Sequence, residues 1–262
     1  MHTFKDHTGS VLSVCFSNSG KYFVTGSFDK TIYIYSINYN YTKHKFATKI
    51  CKLIDHTDRI TSVCFNYNDT YLGSGSNDHS SILYLIDELD NKDDIINNNS
   101  NNNDKINKLL INNNNTKSKD NNLVVKKLHQ FNDHTHWINN VAFSPNGEFF
   151  ASASRDKSAI IYGVNSNNES TFLKIIFKLT SSHIESYMSG AFSPNGSYYA
   201  TGSADSTSAI YSVDPLNKQN YGKQVKKFID HKENTAVFGL CFSPCSKFFV
   251  TCSGDNTSNI YG

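Results

Sequence analysis

This sequence has few arginines, a small net charge and no long run of apolar residues. Only two of the 25 basic residues are arginines, and the formal net charge is +2 at pH 7. A balance so near neutrality gives no general attraction to polyanions, so direct nucleic-acid binding is not expected. No run of apolar residues approaches the length of a membrane span, and the first residues lack the apolar stretch of a secretory signal. We therefore expect no membrane contact and a cytoplasmic or nuclear location.

Cysteine motifs are also lacking. The six cysteines show no CxxC or zinc-like spacing, so neither a metal nor any other cofactor is predicted. Cys15, Cys64 and Cys241 precede a Phe at positions where related segments carry Ala142 and Ala191. This exchange with alanine predicts small core side chains with free thiols rather than disulfides.

Phenylalanine and tyrosine are abundant, with 18 and 15 copies, and they favour strands. They recur within a segment that occupies residues 6–35 and returns four more times, at 55–84, 133–162, 182–211 and 230–261. Repetition of this kind indicates one structural unit used several times. Since helical periodicity is absent from the repeats, the sequence predicts an all-β fold.

Each repeat contains three short apolar runs separated by turn residues. In the first repeat these predict strands at 11–16, 22–25 and 31–35. A further run between repeats predicts a fourth strand, at 49–54, 123–131, 172–179 and 224–229. Residues 2–5 are placed to supply the fourth strand of the last sheet.

An asparagine-rich segment interrupts the second repeat interval. Fourteen of the 32 residues from 91 to 122 are Asn. Such a segment has too few apolar groups to offset the entropy cost of ordering. We predict a single domain over 1–262 with a disordered insertion at about 87–122.

Four polar or aromatic residues keep fixed places in every repeat. Asp follows His by 22 residues in the first four repeats and by 24 in the fifth, a Ser or Thr stands four residues before the Asp, and a Tyr stands six after it. The five sets are His7, Thr25, Asp29 and Tyr35; His56, Ser74, Asp78 and Tyr84; His134, Ser152, Asp156 and Tyr162; His183, Thr201, Asp205 and Tyr211; and His231, Thr251, Asp255 and Tyr261. Five complete sets at fixed offsets are a strong signal of a shared structural role.

These repeats resemble those of WD-repeat β-propellers, whose blades are four-stranded sheets arranged around a channel. That family places such a set of four residues in each blade, so the resemblance implies a buried network of Asp, imidazole, hydroxyl and aromatic groups, with the hydroxyl meeting the polar end of the aromatic. The resemblance implies five four-stranded blades, with a closed ring favoured over an open propeller that a partner chain completes and over a truncated one. Two features depart from the family pattern. Tyr replaces the usual Trp, and the usual Gly before His is Asp6, Asp55, Asp133, Ser182 or Asp230. These departures leave the subfamily unassigned.

The recurring His, Ser and Asp could suggest a hydrolase triad. A triad occurs once, in a cleft, whereas this set occurs five times at strand ends, so we interpret it as structural. His134 and His136 could suggest a metal site, but no further ligands accompany them. The sequence therefore predicts a non-catalytic protein.

The resemblance also implies a partner-binding face. Three positions in each repeat point toward it: three and five residues after His, and the residue before Asp, with the first two shifted by the two-residue insertion in the fifth repeat to Ala236 and Phe238. Trp137, the only Trp, and both arginines, Arg59 and Arg155, fall at these positions. Trp and Arg dominate interface hot spots. The candidate partner-binding residues are Leu12, Phe28, Arg59, Trp137, Asn139, Arg155, Met188 and Phe238.

The leading functional hypothesis is an interaction scaffold or adaptor that binds other proteins or peptides, including acidic or phosphorylated ones. Two narrower alternatives are a substrate receptor of a ubiquitin ligase and a phosphopeptide reader. A third is a scaffold of an RNA-associated complex, because residues 223–227 are rich in lysine. An enzyme is disfavoured because no cluster of His, Asp, Glu or Cys stands outside the repeats.

Overall fold

The computed structural model describes residues 3–38, 46–88, 116–117, 123–180, 182–214 and 218–262. These residues group into two compact units, residues 1–131 and 132–262. Every sheet is antiparallel, and a 3-10 turn at Lys218–Asn220 precedes β17. No described helix is long and apolar enough to cross a membrane.

Two sheets make up the first unit. The first sheet has the order β1-β2-β3-β4 and the second the order β5-β6-β7-β9-β8. The strands are β1 (Val11–Phe16), β2 (Tyr22–Ser27), β3 (Ile32–Ile37), β4 (Ala47–Leu53), β5 (Ile60–Phe65), β6 (Tyr71–Ser76), β7 (Ser81–Glu88), β8 (Thr116–Lys117) and β9 (Leu123–Phe131).

Three sheets make up the second unit. Their orders are β10-β11-β12-β13, β14-β15-β16-β17 and β18-β19-β20. The strands are β10 (Ile138–Phe143), β11 (Phe149–Ser154), β12 (Ser158–Gly163), β13 (Ile175–Leu179), β14 (Tyr187–Phe192), β15 (Tyr198–Ser203), β16 (Ser208–Ser212), β17 (Gln224–Phe228), β18 (Val237–Phe242), β19 (Phe249–Ser253) and β20 (Ser258–Tyr261).

The hairpin between the first two strands of each sheet closes on a residue in the left-handed backbone region. Gly147 and Gly196 take φ angles of +72° and +73° and donate their N–H groups to Ser144 and Ser193. Glycine adopts this conformation without steric cost. Asp69 and Ser246 take the same role in the second and fifth sheets, with φ of 60° and 58°.

A β-bulge recurs at the start of the first strand of every sheet. In the first sheet Val11 pairs with Ser27 and Ser13 with Gly26, so Leu12 has no partner across the ladder. The other four sheets show the same register shift, at Thr61, Asn139, Met188 and Phe238. A bulge re-aims a side chain out of the regular alternation of a strand.

The core lies between successive sheets within each unit. In the first unit, one cluster joins Val24 and Ile34 of the first sheet to Ile60, Val63 and Leu72 of the second. The second unit buries corresponding clusters between its third and fourth and its fourth and fifth sheets. Each sheet is thus buried on the faces it shares with its neighbours within the unit.

The all-β prediction and the repeat architecture are confirmed. Three differences from the predicted boundaries are informative. The strand predicted at 172–179 begins at Ile175, because the chain makes tight turns over residues 168–174. The fifth sheet has three strands in the described part of the chain, and residues 3–5 form no strand. Instead, Phe4 packs on Phe23 and Tyr35 of the first sheet, with ring centroids at 5.4 and 4.6 Å.

The predicted insertion at 87–122 lies outside the described residues for most of its length. Its first two residues belong to β7, where Asp87 and Glu88 pair with Val124 and Leu123. Thr116 and Lys117 form β8 and also pair with β9. The predicted start of the insertion at 87 is therefore two residues early, because β9 is long enough to extend the ladder. The single domain over 1–262 and closure of the sheets into a ring both stay predictions.

The cysteines are all free thiols, but the expectation that Cys15, Cys64 and Cys241 share a core environment is wrong for the last. Cys15 and Cys64 are half-buried, whereas Cys241 is exposed. Cys241 lies between Leu240 and Phe242, which pack against the cluster shared with the fourth sheet, and alternation along the strand turns Cys241 to the opposite face. Neighbouring sheets, rather than the repeat position alone, decide burial.

Candidate partner-binding surface and the repeated polar network

The structure brings the His, Asp and Ser or Thr of every repeat into one network. In the first repeat, His7 Nδ1 lies 2.9 Å from Asp29 Oδ2, and His7 Nε2 lies 2.7 Å from Thr25 Oγ1. The corresponding pairs in the other four repeats keep the same connectivity, with distances of 2.7–3.3 Å. Because an ionised carboxylate only accepts hydrogen bonds, Nδ1 is the nitrogen that carries the proton.

The Asp is held by several donors at once. Asp29 accepts from His7, from the Thr8 backbone N–H at 2.8 Å, and from the Thr31 hydroxyl at 2.6 Å. Burial acts to raise the pKa of Asp29, but these hydrogen bonds dominate and lower it to about 2. Asp78, Asp156 and Asp205 have their pKa values lowered in the same way.

Two further residues of the network were not predicted. A Ser or Thr two residues after each Asp donates to its carboxylate and lies near His Nδ1, and a Ser two residues before each Asp accepts the Asp backbone N–H. The first set is Thr31, Ser80, Ser158, Thr207 and Thr257, and the second is Ser27, Ser76, Ser154, Ser203 and Ser253. Their presence in all five repeats was the sequence signal that could have identified them.

The aromatic residue of the first network has a partner that was not expected. The Tyr35 hydroxyl donates to Asp6 at 3.1 Å. Burial raises the pKa of Tyr35, and the expected hydrogen bond between the Tyr35 and Thr25 side chains acts to lower it. In three other repeats, burial is the main cause that raises the pKa of the Tyr, and the negative charge of the equivalent Asp raises it further. The pairs are Tyr84 with Asp55, Tyr162 with Asp133 and Tyr261 with Asp230. In the first repeat, the phenol that replaces the family's Trp thus donates to the carboxylate that replaces its Gly.

Residues on the fourth strands extend this pairing. Lys49 lies opposite Tyr35 in the ladder and forms an ion pair with Asp6. Lys127 lies opposite Tyr84 and is 4.0 Å from Asp55. Burial acts to raise the pKa of Asp6, but the hydrogen bonds from Lys49 and Tyr35 outweigh it and lower this pKa. This arrangement keeps the carboxylate charged beside a buried ring.

The predicted partner-binding positions adjoin one another within each sheet. The residue three after His accepts a backbone hydrogen bond from the residue before Asp in the first four repeats. In the fifth repeat, where two residues are inserted, Ala236 takes this role, five residues after His231, and the five distances are 2.8–3.0 Å. Trp137 and Arg155 are such a pair, joined at 2.8 Å. The third predicted position is the bulge residue described above. The backbone therefore brings all three positions of a repeat to one end of its sheet.

In the first unit, the candidate residues are Leu12, Phe28 and Arg59. The Arg59 guanidinium lies over the Phe28 ring at 3.9 Å from its centroid, so the second sheet supplies the cation and the first supplies the ring. All three side chains are exposed. This group is called the Phe28–Arg59 site.

In the second unit, Arg155 lies over Trp137 at 4.7 Å from the ring centroid. The Asn139 amide donates to the Tyr187 carbonyl at 2.8 Å and approaches Met188 Sδ at 3.6 Å. We call Trp137, Asn139, Arg155 and Met188 the Trp137–Arg155 site. Phe238, on the fifth sheet, is exposed and covers Gly254, where an added Cβ would lie 3.2 Å from its ring.

Neither arginine is neutralised within the described ranges. Lys157 pairs with Glu185 at 3.3 Å, but no ion pair joins Arg59 or Arg155 to a carboxylate of the described residues. A guanidinium stacked on a ring keeps its five N–H donors along the edge. No group of three or more potential metal ligands occurs among the described side chains.

Comparison with known proteins places these features in one family. The sequence model of the WD domain, G-beta repeat, matches residues 1–36, 47–84, 125–163, 175–212 and 222–261. A 49-residue stretch is 43% identical to Protein SOF1 of Saccharomyces cerevisiae; it covers 19% of this chain and 10% of that protein. The chain thus matches about a tenth of the length of this curated relative. Because the family matches fall on all five sheets and cover more than half of the sequence, the chain belongs to the WD-repeat family.

Proposed function

We propose that this chain is a non-catalytic interaction scaffold whose stacked arginines bind acidic or phosphorylated side chains of partner proteins. WD repeats in general mediate protein–protein interaction. The observation that carries the narrower proposal is that Arg59 lies over the exposed Phe28 ring and Arg155 over the half-buried Trp137 ring, and that neither forms an ion pair with a carboxylate of the described residues.

Stacking prepares each arginine for this role. The ring contact uses the face of the guanidinium and restrains the side chain, so less rotamer entropy is lost on binding. The free edge can then form two parallel hydrogen bonds to a carboxylate or phosphate. Such charge-assisted bonds contribute about 1.5–3 kcal/mol each when formed in a protein.

Apolar groups beside the arginines supply an anchor for the same ligand. Leu12 is exposed next to the Phe28–Arg59 site, and Met188 lies beside Asn139 in the Trp137–Arg155 site. A central apolar contact bordered by polar groups is the usual composition of an interface hot spot. A peptide with an acidic or phosphorylated residue near an aliphatic one fits this chemistry. A ubiquitin-ligase substrate receptor or a phosphopeptide reader would use the same surface.

Lysines that could favour RNA are partly engaged within the fold. Lys227 donates to the Ser182 carbonyl at 2.6 Å, and Lys226 lies over the Phe228 ring at 4.8 Å. Together with the small net charge, this favours a peptide over RNA. In a binding assay, an RNA-associated role would appear as a shift with RNA that weakens steeply with salt.

The test is selection of a displayed random peptide library on the folded chain, followed by affinity measurement. Trp137 is the only Trp, so its fluorescence reports on the second site directly. We expect the selected peptides to carry Asp or Glu. Synthetic versions in which phosphoserine replaces that acidic residue should bind as well. Arg155→Lys keeps the charge but loses the planar fork, and should weaken binding about tenfold.

Lys157→Ala is the matched control, because Lys157 is a nearby exposed cation already paired with Glu185. It should change affinity less than about twofold. Arg59→Lys should weaken the binding of peptides that occupy the Phe28–Arg59 site. It should leave unchanged the affinity of peptides that alter Trp137 fluorescence, because those occupy the Trp137–Arg155 site. Selected peptides without acidic residues, or equal affinities for wild type and both arginine variants, would contradict the proposal.

A further inference from the structure

The two candidate binding sites hold a central residue by different chemistry. In the second and third repeats, the side chain two positions after the network His accepts the backbone N–H of the next residue. In the second repeat the acceptor is the Asp58 carboxylate, which takes the N–H of Arg59 at 2.8 Å. In the third repeat it is Nδ1 of His136, which takes the N–H of Trp137 at 2.7 Å. One site therefore depends on a carboxylate and the other on an imidazole.

The hydrogen bond to Trp137 defines the state of the His136 ring. A ring nitrogen that accepts a hydrogen bond carries no proton, so this ring is neutral and its proton lies on Nε2. Protonation of Nδ1 would turn the acceptor into a donor, and the hydrogen bond would be lost. Histidine changes its charge between pH 5 and 8, a range in which a carboxylate such as that of Asp58 remains an acceptor.

The Trp137 indole lies against both His136 and Arg155. The imidazole packs edge-on, with 5.3 Å between the ring centroids and an angle of 72° between the planes. The Arg155 guanidinium lies 4.7 Å from the indole centroid. The Trp137 carbonyl accepts from the Arg155 backbone N–H at 2.8 Å and from the Ser154 hydroxyl at 2.9 Å. An imidazolium would bring a second cation to an indole that already carries Arg155, and the two like charges would repel.

Other charged or titratable groups lie on the three loops around His136, which are its own loop, the turn between β11 and β12, and the loop before β14. They are Asp133, His134, Arg155, Asp156, Lys157 and Glu185. Carboxylates, lysine and arginine ordinarily keep their charge between pH 5 and 8. His134 is buried, and the network binds both of its ring nitrogens. His136, by contrast, is exposed to solvent protons.

We infer that His136 is a positioning residue of the Trp137–Arg155 site: its neutral ring holds Trp137 in place against Arg155, and its protonation releases the indole. The consequence for ligands rests on the proposed function, whereas the release of Trp137 follows from the contacts within the chain. An imidazolium also attracts anions, but that attraction is weak at an exposed position. Acidic ligands should therefore bind this site less tightly as the pH falls, while the Phe28–Arg59 site should keep its affinity.

Fluorescence of the whole chain tests the release without any ligand, because Trp137 is the only Trp. Between pH 8 and pH 5, wild type should show a transition in Trp emission, and acrylamide should quench it more strongly at pH 5.5 than at pH 7.5. His136→Asn keeps an acceptor that does not titrate, as Asp58 does in the second repeat, so the transition and the extra quenching should disappear. His136→Ala removes the acceptor and should show the stronger quenching at both pH values.

His129→Asn is the matched control. The His129 ring packs edge-on against Phe131, with 4.6 Å between the ring centroids, so the variant removes a histidine from a similar contact with another aromatic ring. It should keep the wild-type transition. Circular dichroism at both pH values establishes that each variant is folded.

Affinity for an Asp- or Glu-containing peptide selected on the Trp137–Arg155 site gives the second readout, since carboxylates keep their charge over this range. Wild-type affinity should fall about fivefold from pH 7.5 to pH 5.5, as for the loss of one hydrogen bond, and that of His136→Asn should stay constant.

Four results would overturn the inference: no transition in wild type, a transition that persists in His136→Asn, wild-type quenching for His136→Ala at pH 7.5, or tighter wild-type binding at pH 5.5. If the fluorescence results are as expected but no acidic peptide binds, the proposed function fails and the positioning of Trp137 by His136 is supported.

Discussion

At the scale of single residues, the exchange of Trp for Tyr and of Gly for Asp is the most distinctive feature of these repeats. Tyr35 is nearly fully buried, stacks on Phe23 at 4.5 Å and donates to Asp6. A buried phenol without an acceptor would be costly, and in the first repeat Asp6 supplies that acceptor. The fourth repeat has Ser182 in place of Asp, and its hydroxyl bonds to Gln224.

A double-mutant cycle on this pair measures the link. Tyr35→Phe removes the donor and should lower the free energy of unfolding by about 1 kcal/mol. Asp6→Ala also removes the ion pair with Lys49. The double variant should lose less than the sum of the two single losses, by about 0.5 kcal/mol or more. Urea unfolding gives the values, and strict additivity would contradict a direct Tyr–Asp bond.

The lowered pKa values of the network Asp residues predict a marked acid sensitivity. A carboxyl with a pKa below its unfolded value of about 3.9 stabilises the fold fully above that pH, and the contribution is lost as the pH falls through the folded pKa. For Asp29 the folded value is about 2, so the loss runs from about pH 4 to pH 2. Asp78, Asp156 and Asp205 should add to the same decline.

Asp156→Asn tests this source of acid sensitivity. At pH 7 the variant should be less stable by about 2 kcal/mol, because the hydrogen bonds of His134 and Ser158 lose their charged acceptor. Below pH 4 its stability should fall less steeply than that of wild type. Urea unfolding at pH 7, 5, 4 and 3 gives the comparison. Parallel curves for the two proteins would show that Asp156 does not contribute.

At the scale of elements, the repeated bulge and the small residues of the second strands decide what each sheet presents. The bulge turns Leu12, Thr61, Asn139, Met188 and Phe238 out of the ladder at the end that carries the arginines. Gly26 and Gly202 let the next sheet approach closely. The bulge therefore exposes the candidate ligand-binding side chains, and the glycines allow the core between neighbouring sheets to be buried.

Gly26→Val tests the close approach of the first two sheets. The added side chain would collide with Ile60 and Val63, so the unfolding free energy should fall by about 1–3 kcal/mol. Cys252→Val is the matched control, since Cys252 has the same repeat position on an exposed face. It should stay within about 0.5 kcal/mol of wild type in dilute solution. Equal losses would show that strand propensity, rather than packing, sets the effect.

At the scale of the whole molecule, the long connection between β7 and β9 separates two strands that pair directly. Glu88 and Leu123 are partners at the end of this ladder, so a short hairpin turn can join them. The 34 residues between them contribute β8, which pairs with β9 at two positions. We therefore expect the repeats to form their sheets without this segment.

Replacing residues 89–122 with a four-residue turn should preserve the fold. The shorter connection reduces the entropy cost of closing the loop and so stabilises the fold by up to about 2 kcal/mol. The loss of the pairing between β8 and β9 offsets part of this stabilisation. We expect the thermal midpoint to stay equal or rise, and peptide binding at the Trp137–Arg155 site to remain unchanged. A fall of several degrees would show that residues 89–122 stabilise the repeats.

The sequence alone was sufficient for the repeat and the strands, because these depend on local alternation and turn chemistry. Its resemblance to the WD-repeat family implied the network of His7, Thr25 and Asp29, and it implied which three positions of each repeat adjoin one another. Only the tertiary structure decided that Tyr35 pairs with Asp6, that Arg59 stacks on Phe28 of the preceding sheet, and that Cys241 is exposed whereas Cys15 and Cys64 are half-buried. These outcomes depend on which side chains meet in space, and residues at identical repeat positions meet different neighbours.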